Sequence, residues 1–320
     1  KSPISTVLIA ILLGILMGNA FTPRPGMMIG LDFTQQYILK LGIIFLGIRL
    51  SFVDFIKFGS IAIPLIIICI VGVLILIKLL IKKVPISSKM SYLIAIGTSV
   101  CGATAIVATA PVINAKKSEV AYAIANITLF GVIAMLLYPY FAEWYFDNQS
   151  LNVGLFLGTS IHETSQVAAA GLIYDQQFNS PETLNVATVT KLIRNTFLVI
   201  LIPLFAFLYN RGEFKGQKYS IFNIFPYFVL GFIGMIIVRN LGDQLYPTGS
   251  NNHEIWVNLI EYLKILATVF LTMAMAAVGI SINLSELKSM GYKPFVVGLI
   301  AAVTVGIISL IYIETLQKFI

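Results

Sequence analysis

The chain has 320 residues, 58% of them apolar and only 11% charged, with a mean hydropathy of +0.93 and a formal charge of +7. A soluble domain is excluded, because its apolar share is about half and its charged share about a quarter. Nucleic acid is excluded as a partner too, since the Lys and Arg residues are scattered at the ends of apolar runs and form no stripe that could follow a phosphate backbone.

Crossing a hydrocarbon core of ~30 Å takes about 20 residues of helix, and apolar runs of that length recur along the chain. The fold expected is an all-α polytopic membrane protein of the inner (plasma) membrane of a bacterium, with residues 1–320 forming a single membrane domain. A transmembrane barrel would instead show strands of about ten residues with alternating polarity. In chain order, the first apolar stretch, Val7 to Phe21, has no small-residue cleavage site, and with Lys1 at position one it reads as a helix of a trimmed chain. Spanning helices are predicted at about 5–21, 36–52 and 59–81. A broken segment follows at about 91–115, its apolar halves separated by Gly97-Thr98-Ser99-Val100-Cys101-Gly102-Ala103-Thr104. A helix at 118–140 leads to a second broken segment, 151–174, split by Gly158-Thr159-Ser160-Ile161-His162-Glu163-Thr164-Ser165. Helices at 183–208, 221–240, 256–281 and 293–313 complete about eight spans and two breaks. Cys69 lies in an apolar run and Cys101 in a break, which gives no disulfide framework.

Glycines and hydroxyl residues between half-length helices are the composition of discontinuous transporter helices. A plain helix with a small-residue packing face would use the same residues. The two breaks align with each other, 97–113 with 158–174, and a second pair, 47–59 with 279–291, runs in register from Gly47-Ile48 and Gly279-Ile280. Such self-similarity is the trace of an inverted-repeat transporter fold.

Loop charges set the expected topology. Lys78, Lys82, Lys83 and Lys89 mark one cytoplasmic link, and Arg211, Lys215 and Lys218 another. If each broken segment is a re-entrant hairpin, Lys116 and Lys117 also stay cytoplasmic, while the Glu143/Asp147 and Asp175/Glu182 links lie outside. Broken helices that cross fully would reverse that bias.

Ionisable groups inside a membrane are costly and therefore informative. His162 and Glu163 stand in the second break, with Gln166 one turn on, and Lys191 and Arg194 share one face of the following helix. Lys40, Arg49, Arg239 and Lys264 read as interfacial snorkels. The second half of each hairpin would present free N–H groups and a positive dipole end. Thr98, Ser99, Thr159 and Ser160 add hydroxyl donors, and Lys191 and Arg194 add charge. Glu163 is expected either to pair with Arg194 or Lys191, or to take up a proton in each cycle, a role His162 could share; a hydrogen-bonded structural His reads equally well. Substrate contacts are expected at Thr98, Ser99, Cys101, Gly102, Ala103, Thr104, Ser160, His162, Gln166, Lys191 and Arg194, with ion coupling at Glu163 and His162. No metal ligand set and no cofactor site is expected.

At these residues the chain resembles a known family. Ser99 to Ile106, Ser160 to Gly171, Lys191-Leu192-Ile193-Arg194 and Ala274 to Ile280 look like signature stretches of the YeiH-type family (UPF0324), whose name refers to sulfate export. That family is similar in turn to bile-acid, arsenite and sodium/proton-antiporter-like transporters. The resemblance implies a core domain moving against a panel domain, with Cys101-Gly102-Ala103-Thr104-Ala105 in the crossing region. Thr164-Ser165 departs from the hydrophobic-small pair common there. The function expected is secondary active transport of a small anion such as sulfate, a sulfonate or a related oxyanion. A proton or sodium ion is the expected coupling ion, the lipid bilayer the surrounding partner and a homodimer the candidate assembly. A passive anion channel and a symporter of a small organic carboxylate remain the alternatives. A membrane-embedded enzyme is not expected, because Ser160, His162 and Glu163 are too close in sequence to converge as a triad.

Overall fold

The computed structural model describes residues 5–21, 24–80, 86–209, 225–250, 252–283 and 292–317. The predicted stretches at Lys82 and Lys83, at Arg211, Lys215 and Lys218, at 221–224 and at 284–291 fall outside the described residues. The described chain is all-helical. In order come α1 (Thr6–Ala20), α2 (Pro25–Phe33), a π-helical turn (Thr34–Ile38), α3 (Leu39–Leu46), a 3₁₀ turn (Gly47–Arg49), α4 (Phe52–Leu80), α5 (Ser88–Ser99), α6 (Ala103–Thr109) and α7 (Lys117–Phe146). They are followed by α8 (Ser150–Ser160), α9 (Thr164–Phe178), α10 (Pro181–Thr196), α11 (Leu198–Tyr209), α12 (Phe228–Leu245), α13 (His253–Ser281) and α14 (Tyr292–Gln317). Seven continuous helical stretches among the described residues are long and apolar enough to span a bilayer, and α1 adds a shorter apolar helix. The chain is a multi-pass membrane protein.

Local chemistry sets the boundaries. Ser5 caps α1 by accepting from Leu8 N at 3.3 Å, and Ser87 caps α5 by accepting from Met90 N at 3.1 Å. Pro25 and Pro181 open α2 and α10 at the first turn, where no N–H is needed. Asp147 and Asn179, both left-handed, end α7 and α9. The span predicted at 36–52 in fact begins at Pro25, because that proline starts a helix instead of breaking one. The predicted 183–208 helix has a tight turn at Phe197, whose N–H bonds back to Arg194 O at 3.2 Å.

The helices form two groups. In one, α1, α2–α3, α12 and α13 pack together. Gly14 and Gly279 bring α1 and α13 backbone to backbone, since a Cβ at either would lie 2.5 Å from a carbonyl oxygen of the other helix. The second group comprises α4 to α11 and α14. Along the seam α9 meets α1 and α13, Arg49 pairs with Asp175 at 3.1 Å, and Ser5 donates to Gln176 at 2.6 Å. Leu16, Val53, Leu79, Leu137, Ile200 and Leu241 lie exposed on the outer surface and form its lipid-facing side.

Both broken segments are hairpins. Lys89 donates to Asn114 O at 2.6 Å and Ser87 to Glu119, so the start of α5 and the exit of α6 lie together at the N-terminal end of α7. A Cβ at Gly97 would come within 2.8 Å of Ile106, which no continuous helix allows at that separation. At the other end of α7, the Phe156 ring of α8 packs tilted against Tyr138 with centroids 5.0 Å apart, Gln166 lies beside Gly131 halfway along, and Tyr174 of α9 donates to Glu143. The α8–α9 hairpin thus enters and leaves at the C-terminal end of α7.

Candidate functional site

The two hairpin tips meet beside α10. Gly154 and Gly158, one turn apart on α8, let its backbone approach α10 closely: a Cβ at Gly154 would lie 2.5 Å from Val186 Cβ, and one at Gly158 2.6 Å from Thr190 Cβ. The C-terminal end of α8 is thereby delivered to the next turn of α10, which carries Lys191 and Arg194. Both side chains are fully buried, with 0% exposure.

Backbone carbonyls take up their donors. Lys191 Nζ donates to Val100 O at 2.9 Å, to Ile161 O at 3.0 Å and to His162 O, which engages all three ammonium protons. Arg194 donates from Nε to Ser99 O at 2.7 Å, from Nη1 to Thr159 O at 2.5 Å and Ile161 O at 3.3 Å, and from Nη2 to Thr98 O. Except for His162 O, which lies in the link to α9, those oxygens are the orphan carbonyls at the ends of α5 and α8, where a helix carries its negative dipole end. The two cations therefore clamp the tips, and a ligand could touch Lys191 only by displacing one of these bonds. Among the described residues neither cation forms an ion pair with Glu163, so of the two roles expected for Glu163 the pairing is not found.

The second halves of the hairpins supply the opposite pole. Gly102 caps α6 and Glu163 caps α9, and the Ala103 N–H points to Glu163 Oε1 at 3.4 Å. Gln166 supports the turn by accepting from Glu163 N at 3.2 Å. Thr104 is exposed, and Ala103, Glu163 and Thr164 are half-buried. At the tips Thr98, Ser99, Ser160 and His162 are buried with side-chain polar atoms that have no partner. Buried polar groups are nearly always hydrogen-bonded, so this cluster points to a hydrated or ligand-binding site. Cys101 is buried at the same tip, while Gln166 lies further back against Gly131. No group of three or more His, Cys, Asp and Glu among the described residues is placed to hold a metal.

Sequence reasoning passed over two neighbours. Asn195 donates to Thr164 Oγ1 at 2.9 Å while its own Oδ1 is buried without a partner, and the Thr190 hydroxyl is also buried and partnerless. Their signal was the density of polar residues Thr188, Thr190, Lys191, Arg194, Asn195 and Thr196 just before the apolar stretch that begins at Phe197. Arg49, Arg239 and Lys264, expected as interfacial snorkels, are brought together in the fold. These residues, with Asp54, Phe58, Pro181, Glu182 and Asn185, line one cavity of about 460 Å³ where the two helical groups meet.

A family model described as "Conserved hypothetical protein 698" matches residues 1–298. The UPF0324 membrane protein SAG1125 of Streptococcus agalactiae is 35% identical over 93% of this chain and 86% of its own length. A UPF0324 membrane protein of Fusobacterium nucleatum is 33% identical over 96% of this chain and 89% of its own. The UPF0324 inner membrane protein YeiH of Escherichia coli K12 is 32% identical over 92% and 81%. No solved structure gives a significant match.

Proposed function

The chain belongs to the UPF0324 family of membrane proteins, and we propose that it is a secondary transporter that carries a small oxyanion together with protons. The charge balance where the hairpins meet carries this reading. A helix end bears roughly half an elementary charge. The C-terminal ends of α5 and α8 contribute about −1, Lys191 and Arg194 +2, and the N-terminal ends of α6 and α9 about +1. With Glu163 ionised at −1, the surplus is roughly +1; with Glu163 protonated it is roughly +2. A buried positive surplus beside two helix N-terminal ends and unpartnered hydroxyls favours an anion, and more strongly once Glu163 has taken up a proton. Anion and proton then bind together.

The rest of the fold is compatible with alternating access. The hairpins enter from opposite ends of α7, as an inverted repeat about an axis in the membrane plane would have them, and the site lies in a helical group that meets the other along a seam bridged by polar contacts such as Arg49–Asp175. In this reading the Lys117 end of α7 is cytoplasmic, since Lys89, Lys116 and Lys117 lie there. The test is reconstitution into proteoliposomes with an imposed pH gradient, assaying sulfate, sulfite, a sulfonate and a small carboxylate. Accumulation of one anion that collapses with the gradient is expected. Anion flux that never exceeds equilibrium would indicate a channel, and no flux of any anion would remove the proposal.

A further inference from the structure

We infer that Lys191 fills a built-in monovalent-cation site, a carbonyl cage that would bind free sodium if the lysine were shortened. Carbonyls of Val100, Ile161 and His162 converge on its ammonium from two different hairpin tips, while the side chain reaches in from a third element, α10. Oxygen ligands converging on a small cation in place of its water shell are what a desolvated monovalent ion requires. The ammonium is fully buried, all three of its protons are engaged, and no carboxylate pairs with it among the described residues, so its partners are backbone dipoles.

The cage needs its cation. Without one, three carbonyl oxygens and two negative helix ends would face each other away from water. Because the cation is covalently attached, the cage is full at any sodium concentration. Joining of the tips then needs no sodium, and no sodium ion can bind there as a coupling ion. The cage should outlast the loss of the lysine, because Arg194 independently holds Thr98, Ser99 and Thr159 at the same tips. Groups close to the ammonium are Arg194, Glu163 and Cys101.

The test reads stability and stands whether or not the chain transports anything. Thermal unfolding of the purified protein is followed at constant ionic strength in sodium, potassium or N-methylglucamine chloride. The wild-type midpoint is expected to be the same in all three. Lys191→Ala should melt several degrees lower in N-methylglucamine and regain most of the loss, saturably, with sodium or with methylammonium, which replaces the missing head group. Sodium-dependent stabilisation of the wild type, or a folded Lys191→Ala indifferent to sodium and methylammonium, would overturn the inference. Should Lys191→Ala fail to fold, Lys191→Arg and Lys191→Met decide: Arg keeps a caged cation and should melt well above Met, whereas equal losses would overturn it.

Discussion

Gly102 and Glu163, which cap the inner halves of the two hairpins, touch each other. A Cβ built on Gly102 would lie 3.1 Å from Glu163 Oε1, 3.2 Å from Cδ and closer still to Cγ. Gly102 also has φ +70°, ψ −129°, a region L side chains rarely enter. Gly102→Ala should therefore combine backbone strain of about 1–3 kcal/mol with an overlap at the tips. Gly249 is the control, because it too has positive φ, at 94°, but open space surrounds the position its Cβ would take, with nothing within 4 Å. Melting curves should show Gly102→Ala losing clearly more than Gly249→Ala. Equal losses would mean that the two caps do not touch in the folded protein.

Lys117 and Asp147 sit at opposite ends of α7, and both are exposed. Lys117→Cys should be silent to an impermeant maleimide added to intact cells and react once they are permeabilised, while Asp147→Cys should react from outside directly. Both native cysteines are buried, so background labelling should be low. Outside labelling of Lys117→Cys would invert the orientation, and labelling of both positions from one side would contradict the placement of the hairpins on opposite ends of α7.

Arg194 bonds four carbonyls at the tips, whereas Arg239 pairs with Asp243 at 2.6 Å in a half-exposed position. Charge-assisted bonds lost from a buried site cost about 1.5–3 kcal/mol each before relaxation, and an exposed pair about 0–1 kcal/mol in total. Arg194→Gln should consequently lower the melting temperature far more than Arg239→Gln, and its expression yield with it. A stable Arg194→Gln that merely binds anion less tightly would return Arg194 to the role of direct ligand.

Much of this was legible in sequence because it is local. The Gly-Thr-Ser runs at Gly97 and Gly158 announced two breaks, because they recur in register, which a small-residue packing face alone would not require, and Lys191 and Arg194 announced themselves as charges in an apolar stretch. What they bind was not legible. Their partners are backbone carbonyls, a property of every residue, and only the meeting of two hairpins selects which ones. The cavity shared by Arg49, Arg239 and Lys264 was hidden for a related reason: its lining comes from α4, α10, α12, α13 and the 3₁₀ turn, and only their packing brings the three cations together. The helix from Pro25 was missed because proline and two glycines, Gly26 and Gly30, outweighed the apolar residues between them.

Glu163 offers the sharpest separation of driving force from recognition. The residue is half-buried, and its carboxylate receives the Ala103 N–H at 3.4 Å and is not ion-paired to Lys191 or Arg194. Replacing it with glutamine leaves an oxygen to accept that N–H and strands no buried cation, so Glu163→Gln should fold and melt within about 1 kcal/mol of the wild type. Electrically the amide mimics a permanently protonated Glu163, which holds the local surplus near +2. Anion binding should therefore persist or tighten, and its pH dependence should flatten. Exchange of one anion for another needs no proton cycle and should continue, whereas accumulation driven by a pH gradient should disappear. Paired measurements on one preparation decide it: counterflow of labelled anion at zero gradient, and net uptake with the gradient imposed. Retained counterflow with lost uptake identifies Glu163 as the group that couples protons to the anion; undiminished gradient-driven uptake would exclude it from that role, whatever the melting curve shows.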